Sequence, residues 1–377
     1  MRIVRNLFAV ALIITTVAAR GQNSYLFVGT YTYNNSGGKG IYVYKFDASN
    51  GTLNLVSHTD STVVNPTYIA VVPDGKHLYA TTDTRIPGAG SISAFSFDDK
   101  TGRLTFLNKV SSGGENPPYL SVNKKGTWVL AANFATGTLA ALPILKDGRV
   151  AEFTQRIQHK GKLNSKGVLE AHVHGTFFSA DEKYVVVPDP GTDQIAVYNF
   201  DDKQKGKPFL PNPTIVPTQS GSFVRQFEFH PNGKFAYSIQ ENGTVGVYRY
   251  THGALDSLQV ALTHDPLSKG TSLSSDIHVS PDGRFAYASN RGTENNIAIF
   301  SIDQNSGNIK LIGNQSTLGK TPRNFAIDPS GKFLLAANQE TGTVVVFKRD
   351  LKTGLLTETG VTVSVPQPAV VKFLKME

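Results

Sequence analysis

The 377-residue sequence contains no cysteine, which excludes disulfides, thiolate zinc sites, cysteine nucleophiles and a lipid anchor on cysteine. Apolar patterns of helical period are scarce after the first twenty residues, and no later stretch is apolar for long enough to cross a membrane. Glycine, in contrast, is abundant, with 35 residues. This composition favours an all-β chain with many turns.

Charge of one sign is not concentrated anywhere in the chain. The formal net charge is +8, but Arg2, Arg5 and Arg20 lie in the N-terminal segment that we expect to be removed. The remaining excess is scattered, with neither a basic run nor basic residues interleaved with aromatic ones. We therefore expect no nucleic-acid partner.

Residues 1–21 have the pattern of a secretory signal peptide. Two arginines precede Leu7–Val17, an apolar run of eleven residues, and small residues follow. Eleven residues are too few to span a bilayer, which needs about 20. We expect cleavage after Ala19 or Gly21 and a soluble protein that is periplasmic or secreted and does not contact the membrane; the alternative is an uncleaved anchor.

A repeat of about fifty residues runs through the rest of the chain. An alternating strand precedes each copy of a tight turn, and an apolar strand follows it, as in FAYSIQ and FAYASN. A third strand and a weaker fourth strand come next, and four strands per repeat are typical of a propeller blade. The turns begin at Pro73, Lys124, Ala180, Pro231, Pro281 and Pro329, with spacings of 51, 56, 51, 50 and 48 residues.

The two ends of the chain predict one further blade. Tyr25–Tyr31 matches a second strand that lacks a first, and Pro368–Leu374 matches a first strand that lacks a second. Pairing the two would close the ring and protect its open edges. We therefore predict an all-β, seven-bladed β-propeller with four-stranded antiparallel blades, formed as one domain by residues 22–377.

Departures from the repeat gather at one rim of the predicted propeller. The first strand of a blade begins, and its second strand ends, at the same rim beside the central channel. Side chains there are not needed for packing between blades, so unusual residues at these positions indicate function. They are His174, Arg225 and Arg323 at first strands, and Asp189, Glu241, Arg291 and Asn338 at second strands.

These residues predict chemistry on a small anionic molecule. Arginines that converge on a channel mouth can bind a carboxylate or a phosphate, and His174 and Glu241 can transfer protons. We assign substrate binding to His172, Asp189, Arg323 and Asn338; the alternatives are that strand-end asparagines cap turns and that Arg–Glu pairs bridge blades. His172 and His174 share a face of a predicted strand, which is metal-ligand spacing, but no third ligand follows by spacing. We therefore expect neither a metal nor a cofactor.

The sequence resembles the seven-bladed lactonases related to 6-phosphogluconolactonase and carboxy-cis,cis-muconate cyclase. The resemblance extends over nearly the whole mature chain, and the segments that carry it include YLFVGTYT, AHVHGTFFSADEKYVVVPDP, VRQFEFHPNGKFAY and SSDIHVSPDGRFAYASNRG. It implies a metal-free enzyme in which His174, Arg225, Arg291 and Glu241 converge as catalytic residues. One departure is Thr82-Asp83, where the family often has Asn-Glu.

The resemblance and the rim together predict hydrolysis of a sugar lactone, either 6-phosphoglucono-1,5-lactone or a related aldonolactone. The partner would be this small anionic lactone, and we expect a monomer. One alternative is a lactonising cyclase of the carboxymuconate type. The other is a non-catalytic exported propeller that binds a ligand or a protein.

Overall fold

The computed structural model describes residues 24–33, 36–60, 63–84, 86, 88–161, 170–204 and 206–376. These residues form 28 strands and no helix, and the strands make seven four-stranded antiparallel sheets. The prediction of a seven-bladed propeller is confirmed. The predicted signal peptide, residues 1–21, lies outside the described residues. Within the described ranges, no helix has the length and hydropathy needed to cross a membrane.

We number the blades in chain order, from the innermost strand of each outward. Blade 1 consists of β1 (Ser24–Thr30), β2 (Ile41–Asp47) and β3 (Thr52–His58), and is completed by the last strand of the chain. Blade 2 consists of β4 (Ile69–Val71), β5 (His77–Thr82), β6 (Ser91–Asp98) and β7 (Arg103–Ser111). Blade 3 consists of β8 (Tyr119–Val122), β9 (Trp128–Asn133), β10 (Thr138–Pro143) and β11 (Gln155–Gln158). Blade 4 consists of β12 (Phe177–Phe178), β13 (Tyr184–Asp189), β14 (Gln194–Asn199) and β15 (Thr214–Pro217).

The second half of the ring has longer strands. Blade 5 consists of β16 (Val224–Phe229), β17 (Phe235–Gln240), β18 (Thr244–Thr251) and β19 (Ala254–Leu262), and blade 6 consists of β20 (Ser274–Val279), β21 (Phe285–Asn290), β22 (Asn296–Ile302) and β23 (Ile309–Ser316). Blade 7 consists of β24 (Pro322–Ile327), β25 (Phe333–Asn338), β26 (Thr343–Arg349) and β27 (Leu356–Ser364). The last strand, β28 (Pro368–Lys375), belongs to blade 1.

Blade 1 closes the ring as the terminal segments predict. β28 is its innermost strand and pairs antiparallel with β1, with Leu26 opposite Phe373 and Val28 opposite Val371. Both strands contribute buried side chains to the contacts with the neighbouring blades. The sheet that seals the ring therefore joins residues from the two ends of the described chain.

Tight turns between the first two strands of blades 2 to 7 form the rim opposite the predicted site. Gly75, Gly126 and Gly233 occupy the third position of their turns with φ angles of 69°, 63° and 69°, a region that favours glycine because it has no Cβ. Glu182 stands at the corresponding position of blade 4 and still has a φ of 55°. The backbone therefore keeps the turn conformation where the glycine of the repeat is missing.

Buried tyrosines join neighbouring blades. The second strands are almost entirely buried, and four of them carry a tyrosine whose ring lies between blades with no more than 1% exposed. Each hydroxyl donates to a backbone carbonyl of the next blade, which satisfies a polar group that burial would otherwise leave unpaired. The pairs are Tyr25–Asp99, Tyr79–Gly148, Tyr237–Gly307 and Tyr287–Gly354, with O–O distances of 2.6, 2.8, 3.0 and 2.7 Å.

A charged cluster fixes three inner strands to one another inside the channel. His278 on β20 lies 3.1 Å from Asp276 Oδ2 and 3.5 Å from Glu228 Oε2 of β16, and Asn324 of β24 donates to the same Asp276 oxygen. Burial disfavours the imidazolium, but the two carboxylates outweigh it and raise the pKa of His278 to about 10. His278 is therefore a cation at neutral pH.

We predict that this cluster makes stability depend on pH. The folded pKa of His278 is raised, so its contribution is complete below its unfolded pKa of about 6.5 and is lost as pH rises towards 10. Between pH 6.5 and 9.5, the free energy of unfolding measured with urea should fall by at least about 1 kcal/mol more in the native protein than in His278→Asn. His252→Asn, at an exposed turn, is the control and should follow the native protein. Parallel losses in all three proteins would contradict the assignment.

Candidate active site

A cavity of about 390 Å³ opens at the rim where first strands begin and second strands end. This is the rim that the departures from the repeat predict. The predicted residues His172, His174, Arg225, Glu241 and Arg323 all line the cavity. The remaining lining residues are Asp83, Asn116, Pro118, Phe134, Pro190 and Phe223.

β-Bulges bring the arginines to this cavity. The pairing of β16 with β17 shifts by one residue at Arg225, and β24 makes the same shift against β25 at Arg323. β20 has the corresponding irregularity at Ser275. A bulge leaves one residue out of the ladder and redirects its side chain, which explains how a strand buried between blades presents a guanidinium to the channel.

The three bulged residues are hydrogen-bonded in series. Arg225 Nε donates to the carbonyl oxygen of Ser275 at 3.0 Å. Ser275 Oγ in turn donates to the carbonyl oxygen of Arg323 at 2.6 Å. Each bulge therefore supplies the acceptor that fixes the side chain of the preceding bulge, across blades 5, 6 and 7.

Glu241 is shared by two arginines. Its Oε1 accepts from Arg225 Nη1 at 3.3 Å and also from Arg291 Nη2, while Arg291 Nε donates to the carbonyl oxygen of Leu273 at 2.8 Å. Charge-assisted hydrogen bonds of this kind are stronger than neutral ones. The Glu241 side chain is 34% exposed, so the carboxylate is held on one side and open to the cavity on the other.

Burial and the mutual repulsion of the arginines together outweigh the attraction of Glu241 at two of the three arginines. Burial first, and then the neighbouring guanidinium groups, lower the pKa of Arg225 and of Arg291. Arg323 is also buried, but Tyr31 and Asp83 beside it raise its pKa. All three groups remain protonated at neutral pH, since the ordinary guanidinium pKa is above 12.

His174 is neutral in this environment. Burial, followed by the charges of Arg225, Arg323 and Arg291, holds the pKa of His174 well below its usual 6.5. Its Nδ1 is buried and has no hydrogen-bond partner among the described residues, while its ring meets the edge of Phe134 at 5.9 Å. An unpaired buried nitrogen costs free energy, so its retention at a cavity points to a role with a ligand.

His172 and His174 precede the first strand of blade 4 instead of lying on it. The strand prediction is wrong here, because β12 contains only Phe177–Phe178. The His172 ring stacks on Phe134 at 4.5 Å, and its Nδ1 faces the Phe134 carbonyl oxygen at 3.0 Å. Side-chain contacts replace ladder pairing at this point: the His172 backbone N–H donates to Asp189 Oδ1 at 2.8 Å.

Asp189 lies behind the cavity, so its prediction as a substrate contact needs correction. Its side chain is 1% exposed, and Oδ1 accepts from the backbone N–H groups of His172, Gly191 and Thr192. Oδ2 lies 2.8 Å from His159 Nδ1. Both oxygens are occupied within the protein, and the residue positions the segment that carries His172.

Asn338 is also removed from the substrate contacts. It is fully buried in blade 7, and its Nδ2 donates to the Thr317 carbonyl oxygen at 2.9 Å. Asn133 and Asn290 hold equivalent carbonyls in their own blades. These asparagines cap the connections that enter the blades, which is the alternative that the sequence left open.

Several residues of the cavity are missing from the predicted site. Asp83 and Phe134 follow second strands, so the alignment that found Glu241 also marks their positions. Asn116 precedes β8 in a left-handed conformation with a φ of 51°, and it lies two residues before the first-strand start, where Asn65, Phe223 and Thr321 of other blades also have a positive φ. Within the described ranges, no group of three or more His, Asp or Glu side chains could hold a metal ion.

Comparison of the sequence and the fold with known proteins identifies a family for this chain. Residues 25–373 match the family described as "Lactonase, 7-bladed beta-propeller". The chain is similar to the 6-phosphogluconolactonases of Formosa agariphila, with 36% identity over 88% of this chain and 94% of the relative, and of Bacillus subtilis, with 35% identity over 92% and 97%. The solved structure of the periplasmic gluconolactonase of Pseudomonas aeruginosa superposes with a TM-score of 0.87 and 31% identity, over 93% of this chain and 99% of the other.

These similarities favour lactone hydrolysis over a lactonising cyclase and over a non-catalytic binding propeller. The relatives are matched along nearly their full length, and the structural agreement includes the ring in which the cavity lies. The chain belongs to the seven-bladed β-propeller lactonase family.

Proposed function

We propose that the protein opens the ring of a gluconolactone-type sugar lactone outside the cytoplasm, with Glu241 as the general base. The single observation that supports this best is the Glu241 carboxylate, which is held by Arg225 and Arg291 and borders the cavity beside neutral His174. A base, cations and a neutral donor around one space are the groups that addition of water to a lactone carbonyl requires.

Glu241 is suited to take a proton from water. One oxygen, Oε1, is occupied by the two arginines, and the partly exposed carboxylate leaves its other oxygen available to the cavity. As the water oxygen bonds to the lactone carbonyl carbon, its proton passes to Glu241 and the carbonyl oxygen becomes an oxyanion. The same proton then passes to the ring oxygen when the carbon–oxygen bond of the ring breaks.

The arginines lower the electrostatic cost of this proton transfer. When Glu241 is protonated, it no longer neutralises Arg225 and Arg291, and the negative charge has moved to the oxyanion. Arg225 lines the cavity, so it can pair with that oxyanion as its bond to Glu241 weakens. The cluster keeps the same number of charges throughout, and the cations are already in place before the reaction.

His174 acts in this proposal as a neutral hydrogen-bond donor to the substrate. Burial, and after it three nearby guanidinium groups, disfavour the imidazolium and lower the pKa of His174, which makes the residue a weak base. The neutral ring still carries one N–H, which can donate to the carbonyl oxygen or to the ring oxygen. His172 and Arg323 complete the walls that orient the sugar.

Export is the second part of the proposal. The periplasmic gluconolactonase of Pseudomonas aeruginosa has the same fold over nearly its full length, and the N-terminal residues of this chain have the pattern of a secretory signal. Mass spectrometry of protein from a periplasmic extract would give a mature N-terminus at Arg20 or Gln22. An intact Met1 would contradict export.

We predict that two substitutions distinguish the role of Glu241 as the base from the role of Arg225 as the oxyanion contact. Glu241→Gln should lower kcat/KM for glucono-1,5-lactone at least about 100-fold because the base is lost. Arg225→Gln should lower kcat by about 10²–10³ because a charged donor to the oxyanion is lost. Initial rates of acid release, corrected for spontaneous hydrolysis, measure both.

The matched controls are Glu358→Gln on β27 and Arg103→Gln on β7, which remove exposed charges from outer strands. Both should retain native rates. The proposed roles are contradicted if the native protein does not exceed spontaneous hydrolysis, or if Glu241→Gln is as active as its control.

We also predict that kcat/KM is independent of pH between about pH 8 and 6.5. Because the folded pKa of His174 is lowered, the residue stays neutral as pH falls from 8 to 6.5 and gains a proton only well below 6.5. The profile of kcat/KM against pH should therefore be flat over that interval. A loss of activity with a midpoint near 6.5, the ordinary histidine pKa, would contradict the neutral role.

A further inference from the structure

A second cavity, which we call the second arm, adjoins the catalytic cavity, and Arg323 is the predicted site residue that lines it. This arm has a volume of about 630 Å³ and is lined by residues of blades 1, 2, 3 and 7. Asp83, Asn116 and Arg323 line both spaces, so the two share a wall. A substrate whose carbonyl lies at Glu241 and Arg225 therefore has room for a chain that extends towards Tyr31 and Asn65.

Asp83 is the fixed carboxylate of this arm. Its Oδ2 accepts from Tyr31 Oη at 2.8 Å and Thr67 Oγ1 at 3.2 Å, and Asn65 Nδ2 donates to its backbone carbonyl at 2.8 Å. Burial raises the pKa of Tyr31 well above its usual range, so the phenol remains a donor. These contacts hold one carboxylate oxygen and leave Oδ1 without a protein donor among the described residues.

Arg323 faces Asp83 without forming a close ion pair. Its Nη2 lies 3.8 Å from Asp83 Oδ2, and its guanidinium carbon lies 5.4 Å from the centre of the Tyr31 ring. Stacking on an aromatic ring occupies the face of the guanidinium but leaves the N–H groups at its edge free to donate. The arm thus offers a carboxylate and a guanidinium side by side, which suits hydroxyl groups that both donate and accept.

Asn116 adds an independent indication of a ligand. Its Oδ1 is buried and has no hydrogen-bond partner among the described residues. Asparagine tolerates the left-handed backbone found at this position, which accounts for the residue type. The buried Oδ1 atoms of Asn133 and Asn338 also lack a donor, but Asn116 differs because it lines both cavities, where a substrate hydroxyl would supply one.

The charges around both spaces nearly balance. Arg225, Arg291 and Arg323 contribute three positive charges, Glu241 and Asp83 contribute two negative ones, and His174 is neutral. One net positive charge matches the single charge that develops on the oxyanion. A phosphate monoester would add about −1.5 to −2 charges at neutral pH, next to the Asp83 carboxylate.

From this arrangement we propose that Asp83 and Asn116 form a polyol subsite, which selects an unphosphorylated aldonolactone and disfavours the 6-phosphorylated one. The proposal rests on the lactonase function above and names the substrate class of that site. Hydroxyl groups of the sugar bind Asp83 Oδ1, Asn116 Oδ1 and the edge of Arg323, and the Asp83 carboxylate repels a phosphate. Attraction for one ligand and repulsion of the other together give selectivity.

Relative kcat/KM values for glucono-1,5-lactone and 6-phosphoglucono-1,5-lactone test the proposal. The native protein should prefer the unphosphorylated lactone at least about tenfold, as expected when like charges are brought together. Asp83→Asn keeps an acceptor for Tyr31 and Thr67 but removes the charge, so it should lower this preference at least about tenfold. Glu358→Gln removes a carboxylate from an outer strand and should leave the preference unchanged.

A second variant and a binding measurement keep the test independent of one substitution. Asn116→Gly suits the left-handed backbone and should raise KM for glucono-1,5-lactone at least about fivefold, with kcat within about twofold of native, as expected for loss of one hydrogen bond in binding. Calorimetry should show that gluconate binds the native protein more tightly than 6-phosphogluconate does.

The outcomes separate this subsite from the proposed function. Equal or better turnover of the phosphorylated lactone by the native protein would overturn the subsite and leave lactone hydrolysis standing. An unchanged preference in folded Asp83→Asn would do the same. If neither lactone were turned over, but gluconate bound and Asp83→Asn weakened that binding, the subsite would stand and the proposed function would fall.

Discussion

Closure of the ring by β28 and β1 is the constraint on which the rest of the structure depends. Seven sheets surround the channel only if the last strand returns to the first blade, and the backbone ladder between these strands provides that return. Buried tyrosines then fix four of the blades to the blade that follows, through hydrogen bonds to backbone carbonyls. Because residues from five blades define the catalytic cavity, its shape exists only in the closed ring.

Within that frame, the cavity is arranged around the compensation of charge. Burying guanidinium groups without counter-charges would cost several kcal/mol each, and Glu241 limits that cost at Arg225 and Arg291 with one carboxylate oxygen. Asp83 has the corresponding place beside Arg323. The same carboxylates then differ in use: Glu241 borders the space for the reacting carbonyl, and Asp83 borders the second arm.

The fold could be predicted from the sequence because its determinants are local and repeated. Turn residues, strand alternation and the unmatched segments at both ends are visible without tertiary information, and they locate the rim that holds His174, Arg225 and Glu241. The orientation of individual side chains at that rim depends on more. Arg225 and Arg323 reach the channel through one-residue shifts in pairing, and a spacing of about fifty residues does not reveal such a shift.

The predictions that failed have a related cause. Asn338 is the last residue of the second strand β25, whereas Glu241 follows the last residue of the second strand β17. Because of this difference of one residue, the Asn338 side chain lies inside the blade, where its amide donates to a backbone carbonyl. Asp189 fails because β12 is short: the His172 N–H lies outside the strand, and the Asp189 carboxylate accepts from it. Asn116 was missed because it lies two residues before the first-strand start, and the repeat predicts that position but not that its side chain lines the cavity. Sequence alone located the rim but not the direction in which each side chain points.

The series of bulges has a consequence for how such a site can change over evolution. Arg225 depends on the backbone of Ser275, and Ser275 depends on the backbone of Arg323, so a change in the pairing of one blade displaces groups held by another. Substitutions along this series should therefore be strongly epistatic. Asn116 precedes the first strand of blade 3 and takes no part in these hydrogen bonds. New substrate preferences can arise there while the reactive half of the site is conserved.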